Sequence, residues 1–256
     1  MTSLAITGTS RGIGLELVRQ LLDFPKDQVS KIFAITRSHL DEPLQRLIDG
    51  SHGRIENIVI EDFCSALQVQ KAANQIQESL HGRGLDILVN NAGIMPASAG
   101  KIESVTGDQM LGVFGTNVVG AHVITSNFLP LLRAGAKKLV VNVSTAMGSI
   151  AYAPRYTFAP AHAYKISKAA MNMLNAQYAL QYAEEGFTFV AISPGWIKTD
   201  LGSQYADLEV ATGVTSVRDI ILKADTSMNG KFVNIRVSGW EEAEGANQYN
   251  GAEIPW

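Results

Sequence analysis

The chain has 256 residues, 24 acidic and 21 basic, and a formal net charge of −3. That balance leaves no basic footprint for nucleic acid, and the single cysteine, Cys64, excludes an internal disulfide and a cysteine-rich zinc site. No apolar run approaches the roughly 18 residues of a membrane helix, and Ser3-Leu4-Ala5-Ile6-Thr7 reads as a strand rather than a signal peptide, so the expectation is a soluble cytoplasmic protein.

Short apolar runs recur in chain order at 4–6, 31–36, 57–60, 86–89, 138–143, 188–192 and 232–237. Parallel strands buried on both faces show such runs rather than a clean alternation. Amphipathic segments lie between them, as at Leu15, Val18, Leu21 and Leu22, or at Val123, Phe128, Leu131 and Leu132. The pattern predicts an α/β fold: one doubly wound domain over 1–256, its seven-stranded parallel sheet covered by helices on both faces. Two stretches break the rhythm. Residues 146–163, with Pro154 and Pro160, read as loop. The tail 239–256 either wraps the surface or packs Trp256 against a neighbour.

The first strand runs into Thr7-Gly8-Thr9-Ser10-Arg11-Gly12-Ile13-Gly14. Gly8 and Gly12 let backbone N–H groups approach a phosphate, Gly14 lets the following helix sit close to the strand, and the helix start offers unpaired N–H donors. The spacing is G-x-x-x-G-x-G rather than the common G-x-G-x-x-G, and the plain alternative is a tight strand–helix turn. Strand–loop–helix context favours a dinucleotide site, with Ser10, Arg11 and Ile13 beside the phosphates. The second strand ends Ile35-Thr36-Arg37-Ser38, with no carboxylate to accept ribose hydroxyls before Asp41. Arg37 and Arg11 can instead close on a 2′-phosphate, so the cofactor expected is NADP(H). Asp62, after the third strand, is placed to meet adenine or to cap the next helix.

Further motifs in the same order give the chain a resemblance to the short-chain dehydrogenase/reductase family along almost its whole length. Asn90-Asn91-Ala92-Gly93 matches the family's N-N-A-G, Tyr164 and Lys168 its Y-x-x-x-K, and Pro194-Gly195-Trp196-Ile197-Lys198-Thr199-Asp200 its P-G-x-x-x-T-D. Within the family it is similar to fungal norsolorinic acid ketoreductase-like and bacterial C-factor-like carbonyl reductases, with Gly230-Lys231-Phe232-Val233 and the terminal Pro255-Trp256 as further points of likeness. The resemblance implies that Asn90 to Gly93 support the sheet centre and line the cofactor ribose. It implies that Asn117 helps position a lysine and a water, and that Pro194, Gly195, Ile197 and Thr199 close on the nicotinamide. Relatives are mostly dimers or tetramers, so a homo-oligomer is one expectation.

Reducing a carbonyl needs a hydride on carbon and a proton on oxygen, and the protein supplies the second. Tyr164 and Lys168 are spaced i, i+4 and so share a helix face. An ammonium beside a phenol lowers its pKa, which matters when the reaction runs towards alcohol oxidation. The carbonyl-polarising hydroxyl is Thr145 or Ser144; Thr145 stands three residues before Gly148, where the family carries its second serine. The hydroxyls precede Tyr164 by 19 or 20 residues, against about 13 in most relatives, so the extra residues are expected to roof a substrate cleft. Met147, Tyr152, Tyr156, Phe158 and Trp196 can line a pocket for a bulky or aromatic carbonyl substrate, or simply pack under the loop. His39, His52, His81 and His122 show no metal-ligand spacing, and His162 reads as a loop residue. Two other readings are an NADP-binding sensor without turnover and an extended-branch sugar epimerase. The second needs a larger C-terminal domain than the residues after Asp200 provide.

Overall fold

The computed structural model describes residues 1–38, 40–96 and 100–256; His39 lies outside them. Strand β1 (Thr2–Thr7) is buried on both sides, and its alternate residues feed two different cores. Leu4 and Ile6 join one core, and Ala5 joins the other. The same division holds along β2 (Val29–Thr36), where Ile32 and Ala34 face one core and Phe33 and Ile35 the other. This is the consequence of a period of two in a sheet covered on both faces.

The remaining strands are β3 (Ile55–Val59), β4 (Ile87–Asn90), β5 (Leu139–Val143), β6 (Thr188–Ser193) and β7 (Phe232–Asn234). All pair in parallel, in the order β3-β2-β1-β4-β5-β6-β7. The helices are α1 (Gly12–Leu22), α2 (Glu42–Gly50), α3 (Ala66–Leu80), α4 (Gly107–Phe114), α5 (Gly120–Arg133), α6 (His162–Gln181) and α7 (Val210–Lys223). Helices α1 and α7 pack on each other over the core of Leu4 and Ile6, while α3 and α5 cover the core of Ala5 and Phe33. The order reverses between β1 and β4, so the connections leaving these neighbours diverge and open a crevice at their carboxyl ends. The glycine loop follows one of these strands and Asn91-Ala92-Gly93 follows the other.

Two local outcomes differ from the sequence expectations, and the course of the tail, left open there, is decided. The last strand ends at Asn234: Ile235 N still donates to Ser193 O of β6, but beyond that the chain pairs with the tail, as β7 itself does. Ile254 N donates to Phe232 O, Asn234 N to Ala252 O, Gly251 N to Ile235 O and Val237 N to Tyr249 O. The tail thus runs back antiparallel along the β7 edge, which would otherwise expose unpaired backbone groups. The terminal Trp256 stacks on Phe232, with ring centroids 5.5 Å apart, so the tail wraps its own chain. Residues 146–163 contain two 3₁₀ turns, Ala146–Gly148 and Ala153–Tyr156, and α6 already begins at His162. Among the described residues, no helix is long and apolar enough to cross a membrane, and no cluster of histidine, cysteine or acidic side chains could hold a metal ion.

Candidate active site

One cleft of about 900 Å³ runs from the glycine loop across the carboxyl ends of the central strands to residues 146–161 and the tail. The glycine loop forms its first wall. Gly8 and Gly12 adopt positive φ of 72° and 57°, which side chains seldom take. A Cβ on Gly8 would stand 2.9 Å from the Ala92 Cα, so the two loops approach as closely as a missing side chain permits. Gly14 does not reach the cleft. Its hydrogen faces the Gly8 carbonyl, which a Cβ would meet at 2.2 Å, and this lets α1 begin directly under the loop.

Ser10, Arg11, Ile13, Arg37, Asn91, Ala92 and Gly93 line the same half of the cleft. Arg11 also pairs at 3.4 Å with Asp200, both side chains being largely exposed, whereas Arg37 has no ion pair among the described residues. Asn91 is held by its amide, which donates to the carbonyls of Thr7 and Gly8 at 2.9 and 3.1 Å. Asn90 stands elsewhere: its amide donates to Thr125 Oγ1 and Asn142 Oδ1 behind the sheet, and Asn142 continues to Asn175 on α6. Asn90 therefore ties α5, β4, β5 and α6 together and, against the expectation, is not part of the cleft wall. Asp62 is also off the wall, which Phe63 forms; its carboxylate accepts from Cys64 N at 2.9 Å, while Ser65 caps α3.

The reactive end is built by β5 and α6. Tyr164 and Lys168 lie one turn apart on α6 and both line the cleft, at 7% and 3% exposure. Lys168 Nζ donates to Val143 O at 2.7 Å and sits 5.7 Å from the Tyr164 ring centre. An ammonium has three donors, so two remain after the single carbonyl. The Tyr164 hydroxyl has no hydrogen-bond partner among the described residues. Burial drops Lys168 to about 8 and pushes the Tyr164 phenol well above its ordinary range. The sequence pattern predicts a phenol lowered by the lysine; in the fold it is raised, through burial.

The two neighbouring hydroxyls separate cleanly. Ser144, 2% exposed, donates its only proton to Asn172 Oδ1 at 2.6 Å, and Asn172 donates in turn to Gly148 O. Thr145 Oγ1 accepts from Met147 N at 3.3 Å and keeps its proton available. Asn117 is not on the wall. It sits in a π-helical turn, Gly115–Val119, with its carbonyl accepting from Ile94 N and its amide donating to Ile94 O and to Ser167 beside Lys168. Such turns interrupt the ordinary helical ladder and are frequent at functional sites.

Pro194, Gly195, Ile197 and Thr199 form the far wall with half-exposed Trp196. Gly195 takes a φ of 82°, and its missing side chain leaves room for Leu208, Ile235 and Tyr249. Met147, Tyr152, Tyr156 and Phe158 line the opposite end of the cleft from the glycine loop. His162 sits at the head of α6, near the Gly100 carbonyl and off the wall. Sequence reasoning missed the tail: Asn247, Gln248 and Tyr249 line the cleft, and the Tyr249 hydroxyl joins Asp207 at 2.5 Å to Trp196 N at 3.0 Å. No local periodicity marked that segment, because its partners lie 40 to 90 residues away.

Comparison with known proteins gives the family. Residues 3–209 match the short chain dehydrogenase family. The short-chain dehydrogenase/reductase atnB of Arthrinium sp is 34% identical over 210 residues, 78% of this chain and 76% of that one. The C-signal protein of Myxococcus xanthus is 32% identical over 174 residues, 67% of this chain and 93% of that one. Among solved structures, an NADPH-bound carbonyl reductase from chicken fatty liver superposes with a TM-score of 0.86 at 29% identity, covering 100% of this chain and 94% of that one. With the family match extending from the first strand to the threshold of α7, the chain belongs to the short-chain dehydrogenases.

Proposed function

We propose that the protein is an NADPH-dependent carbonyl reductase that converts a ketone or aldehyde into the alcohol. The observation carrying this reading is the placement of the Tyr164 hydroxyl and the Lys168 ammonium side by side in a cleft that continues to the glycine loop.

The residues present fit the cofactor. Positive-φ glycines leave the phosphate end open to backbone donors, and Lys168 holds two spare donors for ribose hydroxyls. Arg37 at the adenosine end suits a 2′-phosphate, and the chicken relative of similar fold is NADPH-bound. When bound, NADPH supplies the hydride that the carbonyl carbon takes up.

The chain's own groups handle the oxygen and its proton. Thr145 donates a hydrogen bond to the carbonyl oxygen and polarises it, a task closed to Ser144 because its proton is committed to Asn172. Tyr164, kept protonated by burial, transfers its proton to that oxygen as negative charge develops there. Lys168 stabilises the phenolate left behind, and Asn117 holds the segment after β4 against Ser167, fixing the neighbourhood of that lysine. The aromatic and methionine side chains at the end opposite the glycine loop, Met147, Tyr152, Tyr156 and Phe158, suit a bulky carbonyl compound.

The test is NADPH consumption across a panel of ketones and aldehydes, with the alcohol identified in the mixture. Stoichiometric alcohol formation supports the reading. Tight NADPH binding without oxidation by any carbonyl would replace it with a cofactor-sensing role.

A further inference from the structure

Beyond the Tyr164–Lys168 pair, the substrate end of the cleft carries an exposed arginine, Arg155, that has no ion pair among the described residues. Lys198 pairs with Glu209 and Arg11 with Asp200, while the buried Lys168 donates to Val143 O and belongs to the catalytic pair. Among the described residues, no carboxylate comes within ion-pair distance of Arg155; Glu253, the acidic residue of the same end, is not bonded to it. Arg155 is held in place nonetheless. Its guanidinium carbon lies 3.8 Å from the centre of the Tyr152 ring, and Tyr152 packs against the core of Ala191, Phe232 and Ile254. The next residue, Tyr156, is buried, with its hydroxyl bonded to Ala246 O and Asn247 Oδ1 of the tail. Stacking fixes the plane of the guanidinium and leaves its donor edges open, the arrangement that favours planar, two-point capture of an anion.

Phe158 adds a second observation. It is 66% exposed at the mouth of the cleft, an aromatic ring left to solvent beside that cation. Arg155, Phe158, Ala246 and Gln248 belong both to the main cleft and to a shallow groove of about 650 Å³ between residues 155–158 and the tail. The cleft therefore continues past the roof, and this passage has an aromatic side and a cationic side.

We propose that Arg155 is a specificity-determining residue that anchors an anionic group of the substrate, so that preferred substrates are aromatic carbonyl compounds bearing a carboxylate or a comparable anion. This inference rests on the carbonyl-reductase reading. The ring of such a compound lies against Phe158, its anion takes the guanidinium edge, and its carbonyl reaches towards Tyr164.

The test uses aryl ketones in matched pairs: acetylbenzoate, acetylphenylacetate and acetylphenylpropanoate, each against its methyl ester. For the best-fitting spacer, wild type should favour the acid over the ester by at least tenfold in kcat/KM, mostly through KM. That ratio should fall close to one in Arg155→Ala and be partly kept in Arg155→Lys, with thermal unfolding followed to verify folding. Raising salt should reduce it in wild type. Esters reduced as well as the acids by wild type, or an acid preference that persists in Arg155→Ala, would overturn the anchor while leaving the reductase reading intact. Alcohol formed from neither acid nor ester, nor from any simple ketone, would overturn both.

Discussion

The hydroxyl of Thr145 and that of Ser144 are adjacent in sequence and opposite in task. Ser144 is 2% exposed and holds Asn172, so Ser144→Ala should show its main loss in thermal stability, by about 1–2 kcal/mol, through the unpaired Asn172 carbonyl. Thr145→Val removes a free donor of similar volume and should lower kcat roughly a hundredfold with little change in Tm. Steady-state kinetics beside calorimetry on the two variants checks this division. Lys168 makes a prediction of its own. Its folded pKa, about 8, lies below the usual lysine value, so below pH 8 the fold carries a buried ammonium at a cost of about 3 kcal/mol. Between pH 8 and the ordinary value of 10.5, the unfolded chain binds a proton that the folded chain does not, and stability rises with pH. Lys168→Met should therefore be more stable than wild type at pH 7, and its advantage should shrink across that window in urea titrations. Both partners of the i, i+4 pair were legible, because helical spacing converts directly into a shared face. The phenol's upward shift was not, since burial depends on α6 and β5 meeting.

Helix α1 begins where it does because Gly14 has no side chain. A Cβ there would stand 2.2 Å from the Gly8 carbonyl and 2.7 Å from the Asn91 amide, both fixed groups. Gly14→Ala should push the helix start away from the loop, weaken NADPH binding at least tenfold and cost about 3 kcal/mol, a Tm drop of roughly 6–12 °C. Calorimetry and a fluorescence titration with NADPH measure the two effects. Strand runs were readable at this scale because each is short, apolar and buried on both faces. The asparagines were harder. Asn90 and Asn91 are neighbours in one motif, yet strand geometry sends Asn90 to Thr125 and Asn142 and Asn91 to the glycine loop. A strand's period of two separates their directions, but only the packed helices decide which partner each one finds.

Across the whole molecule, the tail determines how the cleft closes. It pairs along β7, braces Tyr156 and, through Tyr249, holds the far wall at Trp196 and Asp207. Tyr249→Phe removes both bonds of that hydroxyl, leaving Trp196 N unpaired and Asp207 with Asn247 alone. It should cost about 1–3 kcal/mol in stability and raise the KM for the carbonyl substrate more than the Kd for NADPH, as measured by unfolding and paired titrations. Pairing between segments so far apart in the chain leaves no trace in local periodicity, which is why the ends of the sheet and the tail were the least readable parts.

The reductase account meets its most direct test in Tyr164→Phe, which deletes the donated proton and keeps the ring. NADPH should bind within about threefold of wild type, while alcohol formation from a good ketone should fall at least a thousandfold. A variant that reduces the ketone at the wild-type rate would contradict the assignment of the proton to Tyr164.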